Sequence, residues 1–261
     1  MSLSIKWLGH AGFRIAFTDP DGETERIVYI DTWLDNPKLP EEFKGKVPDD
    51  ADLVLVTHGH FDHSASSPAI LRASKKEHCE TVTNGEISRH FVKYEGFTEK
   101  QCNKMNKGGT LDYGWCKIHM TGADHSSCCM CPMGNVVNGG EPNGFVLHVP
   151  HLGARIYHAG DTNVFTDMGI IEELNHPNIL LVPIGDRFTM GPDGAALACS
   201  RFFPSAKYVM PMHYGTFPLL TGTFEKFKEE LEKRNFDLSK LLHTPDFKDG
   251  TQFNVNLATL N

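Results

Sequence analysis

The sequence predicts an α/β layered fold, and three observations carry that prediction. Short apolar runs that read as strands alternate with helix-like segments along all 261 residues. The run LVLV, residues 53–56, is short and continuously apolar, as a strand buried on both faces is. Neither an internal repeat nor a low-complexity linker breaks the chain, so one domain spanning 1–261 is expected.

The elements follow in order. Residues 4–8 and 12–17 are short and apolar, and TDPDGE after them reads as a turn because Pro20 and Gly22 punctuate it. Residues 26–30 complete an N-terminal hairpin. After LVLV, Ser67 is placed to cap a helix reaching Lys76, with Pro68 suited to its first turn. A second helix is expected over 86–94, with Gly96 near its end. Later strands are expected at 115–120, 145–149, 155–158, 179–182 and 208–210, and helices at 195–203 and 224–234. Residues 128–144, rich in Cys, Gly, Asn and Pro, read as a long surface loop.

Composition bounds the function. An apolar share of 40% with 22% charged residues is ordinary for a globular enzyme, so neither a disulfide nor a metal is needed merely to fold. A net charge of −8, from 25 basic against 33 acidic residues, argues against nucleic-acid binding by bulk electrostatics. An anionic small molecule stays admissible, since a metal site carries its own local charge. The opening MSLSIKWLGH lacks the apolar core of a signal peptide, and no apolar run approaches a membrane span. The expectation is a cytoplasmic protein with no membrane partner. Its seven cysteines, odd in number and irregular in spacing, are expected to be reduced. Oligomer formation is left open.

One stretch concentrates chemistry. THGHFDHS, residues 57–64, places His58, His60, Asp62 and His63 just after the buried strand. Imidazole is the commonest protein metal ligand. In extended backbone His58 and His60 point to the same side and can face one ion. A turn after them would carry Asp62 and His63 toward a second. Zinc takes about four ligands, and a catalytic ion keeps one position open, so more donors must come from elsewhere. His125 in GADHSS, Asp161 in YHAGDT and His213 in VMPMHYGTF each follow an expected strand. Strand ends collect at one edge of an α/β fold, where active sites form. His125 has a rival in His119, which lies inside the preceding strand.

THGHFDH, ADHSS, HAGDT and MPMHYGTFP resemble the successive metal motifs of the metallo-β-lactamase superfamily. The resemblance is closer to a branch of small metal-dependent hydrolases that also shows a Gly-His near the start, here WLGHAGF, and a run such as PIGDRFTMGPDGA. It extends from Ile5 to about Pro218. Sugar-phosphate lactonases of the ascorbate-6-phosphate type resemble a neighbouring branch. The resemblance implies a four-layer αβ/βα sandwich with two divalent ions at one edge. One ion would take His58, His60 and His125; the other would take Asp62, His63 and His213. Asp161 would bridge them, with a water or hydroxide between. These N and O donors fit zinc first, and manganese or iron as well.

The expected chemistry is hydrolysis, in which a hydroxide held by the metals attacks a small ester, lactone, amide or phosphoester. Asp62 is a candidate proton shuttle. His10 is a candidate substrate contact or proton donor, against a reading as ordinary turn chemistry. Asp31 and Asp186 could orient ligand imidazoles or could be loop carboxylates. TMGPDG is a candidate pocket wall. Cys128, Cys129 and Cys131 have no second cysteine pair nearby and are expected to be reduced thiols. The remaining histidines, His158 and His243 among them, carry no functional expectation. The competing functions are a phosphodiesterase for nucleotides or phospholipid headgroups, and a non-hydrolytic metal-dependent ligand sensor.

Overall fold

The computed structural model describes residues 1–242 and 252–260, so His243 lies outside the described residues. The described chain forms two compact units, each built on one mixed sheet.

The first unit comprises Met1–Asn106, Ser126–Pro142 and the short strand Phe253–Asn254. Its sheet has seven strands, in the order Phe253–Asn254, Leu3–Trp7, Phe13–Thr18, Glu25–Ile30, Leu53–Leu55, Glu80–Asn84 and Cys102–Met105. The first three pairings are antiparallel and the last three parallel. Leu3–Trp7 alternates buried and half-buried residues, as a strand with one covered face does. Leu53–Leu55 is buried throughout, in line with its continuous apolar sequence.

Helices Ser67–Ala73 and Gly85–Glu95 place Ile70, Leu71, Ile87 and Phe91 in a core with Tyr29, Val54 and Val56. Burying each such side chain contributes roughly 1.5–3 kcal/mol. Asn84 starts the second of these helices by accepting the N–H groups of Glu86 and Ile87, and Gly96 ends it at φ 74°. The first helix differs from expectation at both ends. Ser66, not Ser67, precedes it, and the Ser66 hydroxyl accepts the Leu34 N–H instead of capping. Its C-terminal end comes at Ala73, where Ser74 turns extended and donates its hydroxyl to the Ala51 carbonyl.

Residues 128–144 are not the open loop expected. Cys128–Met130 and Val136–Asn138 pair as an antiparallel ribbon, and the next strand already begins at Asn143. The Cys131 N–H donates to Asn135, and Gly134, at φ 79°, closes the turn. The base of the ribbon is fixed by the Asn84 amide, which donates to the carbonyls of Gly139 and Glu141.

The second unit holds Lys107–His125 and most of the chain after Asn143. Its sheet has six strands, in the order Tyr208–Met212, Ile179–Pro183, Ala154–His158, Asn143–Val149, Lys117–Gly122 and Thr110–Asp112. The first two pairings are parallel and the rest antiparallel. Helices Met168–Asn175, Pro192–Phe202 and Phe224–Lys233 bring Met168, Ala195, Cys199, Phe227 and Leu231 to a core around Tyr157 and Phe203. No helix of the described residues is long and apolar enough to cross a membrane.

Strand directions decide where side chains collect. In the first unit Leu3–Trp7 runs with Glu25–Ile30, since both are antiparallel to the strand between them, and Leu53–Leu55 is parallel to the latter. The segments after Trp7, Ile30 and Leu55 therefore leave one edge of the sheet. The same reasoning in the second unit puts the segments after Gly122, His158, Pro183 and Met212 on one edge. Polar residues at such carboxyl ends are free to build a site.

Candidate metal centre

The edge of the first unit carries His10, Asp31 and the ligand loop that begins at Thr57. His58 Nε2 and His60 Nδ1 are 2.9 Å apart, so two ring nitrogens converge on one point. His63 packs beside His58, with ring centroids 4.1 Å apart. Asp31, His58 and His63 each offer a ligand atom within 4.8 Å of the others, and all three are buried.

Asp31 organises these rings. It accepts the Thr57 hydroxyl at 2.6 Å and the Thr57 N–H at 2.9 Å, and its Oδ2 lies 2.8 Å from His63 Nδ1. A buried carboxylate is acceptor-only, so His63 Nδ1 carries the proton and Nε2 keeps its lone pair. Because the Thr57 proton is committed to Asp31, its oxygen accepts from His58 Nδ1, 3.0 Å away. That places the lone pair of His58 on Nε2 too. One carboxylate thus sets two imidazoles in a metal-binding tautomer. Asp31 is an orienting residue, one of the two readings the sequence left open.

Asp62 is the second residue of a one-turn helix, Phe61–Ser64, that follows His60. Its Oδ2 lies 2.9 Å from His10 Nε2, with His10 fully buried. His10, at φ 54°, is held by the Trp7 indole, which donates to its carbonyl at 2.9 Å. Gly59 allows the ribbon to approach the loop: a Cβ there would lie 2.6 Å from both the Cys128 carbonyl and Cys129 Sγ. The Gly59 N–H donates to Ser127 at 3.1 Å. Burial pushes the Cys129 thiol up to about 11, so it stays neutral and packs as an apolar group. All seven cysteines are free.

The edge of the second unit carries the other expected donors. Asp161 Oδ2 lies 3.0 Å from His213 Nε2 and 3.6 Å from His125 Nε2. His125, not His119, is therefore the histidine beside the carboxylate. His119 stays in the sheet, with Nδ1 2.9 Å from the Thr110 hydroxyl. His158 shapes the turn that presents Asp161, since its Nδ1 accepts the Gly160 N–H at 3.1 Å. His213 sits at φ 56°, a strained conformation of the kind that clusters at functional sites. Asp186 meets none of the expected ligands. It accepts the Thr221 hydroxyl and the Arg187 N–H, each at 2.7 Å, which holds its carboxyl below the usual carboxylate range. The run after it returns at Met190, whose N–H donates to the Thr162 carbonyl next to Asp161.

Sequence reasoning missed Thr57, which touches the expected ligand His58, and His158, which holds the turn just before Asp161. The threonine directly before the first histidine was the one available signal. Converging imidazole and carboxylate donors within each unit are the donor set a borderline divalent cation takes.

The comparisons agree with this reading. The family model described as beta-lactamase superfamily domain matches residues 26–214. A UPF0173 metal-dependent hydrolase of Rubrobacter xylanophilus is 43% identical over 90% of this chain and 90% of its own. One from Archaeoglobus fulgidus is 36% identical over 93% of this chain and 96% of its own. Among solved structures, a metallo hydrolase from the archaeon Ignicoccus hospitalis superposes with a TM-score of 0.77 at 28% identity, covering 98% of this chain and 99% of its own. The α/β fold is that of these proteins. With its histidine and aspartate motifs at strand ends, the chain belongs to the beta-lactamase superfamily and, within it, to the family of UPF0173 metal-dependent hydrolases.

Proposed function

We propose that this enzyme is a dinuclear metallohydrolase acting on a small ester, lactone, amide or phosphoester. Family membership and the two donor sets support a shared centre. In it His58, His60 and His125 hold one divalent ion, Asp62, His63 and His213 hold the other, and Asp161 serves both. Zinc suits these donors first, with manganese or iron as alternatives. The observation that carries the reading is the single Asp161 oxygen with imidazole nitrogens at 3.0 and 3.6 Å.

Bound ions would supply an acidified water and a polarised carbonyl or phosphoryl oxygen. The chain's own residues do the rest. Asp31 keeps His63 directly, and His58 through Thr57, in one tautomer, so neither ring reorganises during turnover. Asp62 holds a proton released near its carboxylate. His10 Nε2, 2.9 Å away, passes that proton toward the leaving group. The reduced cysteines suit a cytoplasmic setting, and the net charge of −8 suits a small-molecule substrate better than a nucleic acid.

Metal analysis of the purified protein, joined to a panel of lactones and bis-p-nitrophenyl phosphate, tests the proposal. Two equivalents of a divalent metal and chelator-sensitive turnover are expected. A protein that binds no divalent ion would overturn it. Turnover of the diester alone would favour a phosphodiesterase, and tight metal binding with no turnover would favour a ligand sensor.

A further inference from the structure

Phe61 stands between the expected ligands His60 and Asp62, yet its side chain is 58% exposed. Its ring meets Trp33 edge-on, at 5.4 Å between centroids and 86° between planes. Trp33, half-buried, meets His10 the same way at 5.5 Å and 79°. An aromatic series thus runs from the surface to the imidazole that touches Asp62. Isolated exposed apolar residues are common and need no explanation. Phe61 is not isolated in this sense: it is held in the loop of expected ligands, set edge-on against a second ring that abuts the Asp62 partner. The ribbon rooted on Gly59 also exposes Met130, Met133 and Val136. Exposed apolar side chains thus stand both in the loop of expected ligands and on a ribbon bonded to it.

We infer that Phe61 and Trp33 seat an apolar group of the substrate, an alkyl or aryl substituent next to the bond that is cleaved. The inference rests on the hydrolase reading and narrows it to substrates that carry an apolar substituent beside the scissile bond. The reacting group would lie at the centre that the expected ligands hold, with the substituent along the exposed Phe61 ring.

Two 4-nitrophenyl esters with the same leaving group, the acetate and the octanoate, test the inference on the metal-loaded enzyme. The wild type is expected to prefer the octanoate in kcat/KM. Phe61→Ala is expected to cut that preference by about 10-fold, the scale at which apolar pockets discriminate. Phe61→Leu, which keeps apolar area, is expected to retain most of it. Calorimetric titration with octanoate and with acetate gives a readout without turnover, and Phe61→Ala is expected to weaken octanoate by about 10-fold relative to acetate. If neither ester turns over but this binding difference persists, ester hydrolysis falls and the apolar seat stands. An unchanged octanoate-to-acetate ratio, in rates or in binding, overturns the inference.

Discussion

Asp31 Oδ2 stands 2.8 Å from His63 Nδ1, and both side chains are fully buried. The same carboxylate takes the Thr57 hydroxyl, so it governs His58 through one intermediary. In Asp31→Asn an amide would face these groups with a donor on one side. His63 would then be driven to carry its proton on Nε2, the atom needed for metal. Metal affinity should fall about 10- to 100-fold, as it does when such orienting partners are lost. Equilibrium dialysis with metal analysis reads this directly, and full retention of metal would refute the tautomer argument.

Replacing His10 separates proton handling from metal holding. His10→Gln should keep full metal content while turnover drops by about 10²–10⁴, the range for a lost general acid or base. Full turnover with full metal would remove His10 from the mechanism.

Gly59→Ala should destabilise the fold by about 1–3 kcal/mol in urea titration, the usual scale of overpacking, because backbone and a buried sulfur occupy the space. Gly85→Ala is the informative contrast. It lies in the first turn of a helix, its nearest neighbour would be a flexible arginine end at 3.9 Å, and a gain of about 0.4–1 kcal/mol is expected.

Acid should weaken the fold partly through two histidines outside the ligand set. Burial holds His119 below the ordinary histidine value, and burial with Arg155 and Lys117 does the same for His148. Both groups bind a proton more readily when unfolded. Their contribution is therefore present above the unfolded pKa, near 6.5, and is lost as pH falls through the lower folded value. Melting temperature should drop from pH 7 to pH 5, and His148→Gln should flatten that drop at constant metal loading. An identical slope in the variant would contradict the assignment.

The thiols give a further check on the ribbon. Cys129, Cys102 and Cys199 are buried, and burial raises their thiols to about 11, 11 and 12. Cys128 is half-buried on the same ribbon. Iodoacetamide on the native protein at pH 8 should mark Cys128 first, as read by peptide mass spectrometry. Early labelling of Cys129 would mean that the ribbon does not close on Gly59.

The proposed ligands stand out in the sequence because each is a polar residue placed shortly after an apolar strand, a contrast that a linear pattern displays. What was hidden depends on partners distant in sequence. Asp31 follows a strand as many loop carboxylates do, and only its bonds to Thr57 and His63 set it apart. The strand Glu80–Asn84, ETVTN, escaped notice because three of its four buried residues are polar. Thr81 and Thr83 donate their hydroxyls to the carbonyls of Val54, in the neighbouring strand, and Val56, just after it, so their burial leaves no polar group unpaired. Helix Met168–Asn175 is only eight residues long, with its stop made by His176 at φ 44° in place of glycine. The ribbon was obscured by Cys and Asn, which read as loop but here pair across a two-stranded turn.

The pairing of Ser4 and Ile5 with Asn254 and Phe253 has a practical consequence for anyone handling the protein. A shortened version ending before residue 252 would leave the Leu3–Trp7 strand as an open border with unsatisfied amides and alternating apolar side chains. Such borders recruit other chains, so the truncated protein should precipitate or self-associate on concentration while the longer form stays dispersed.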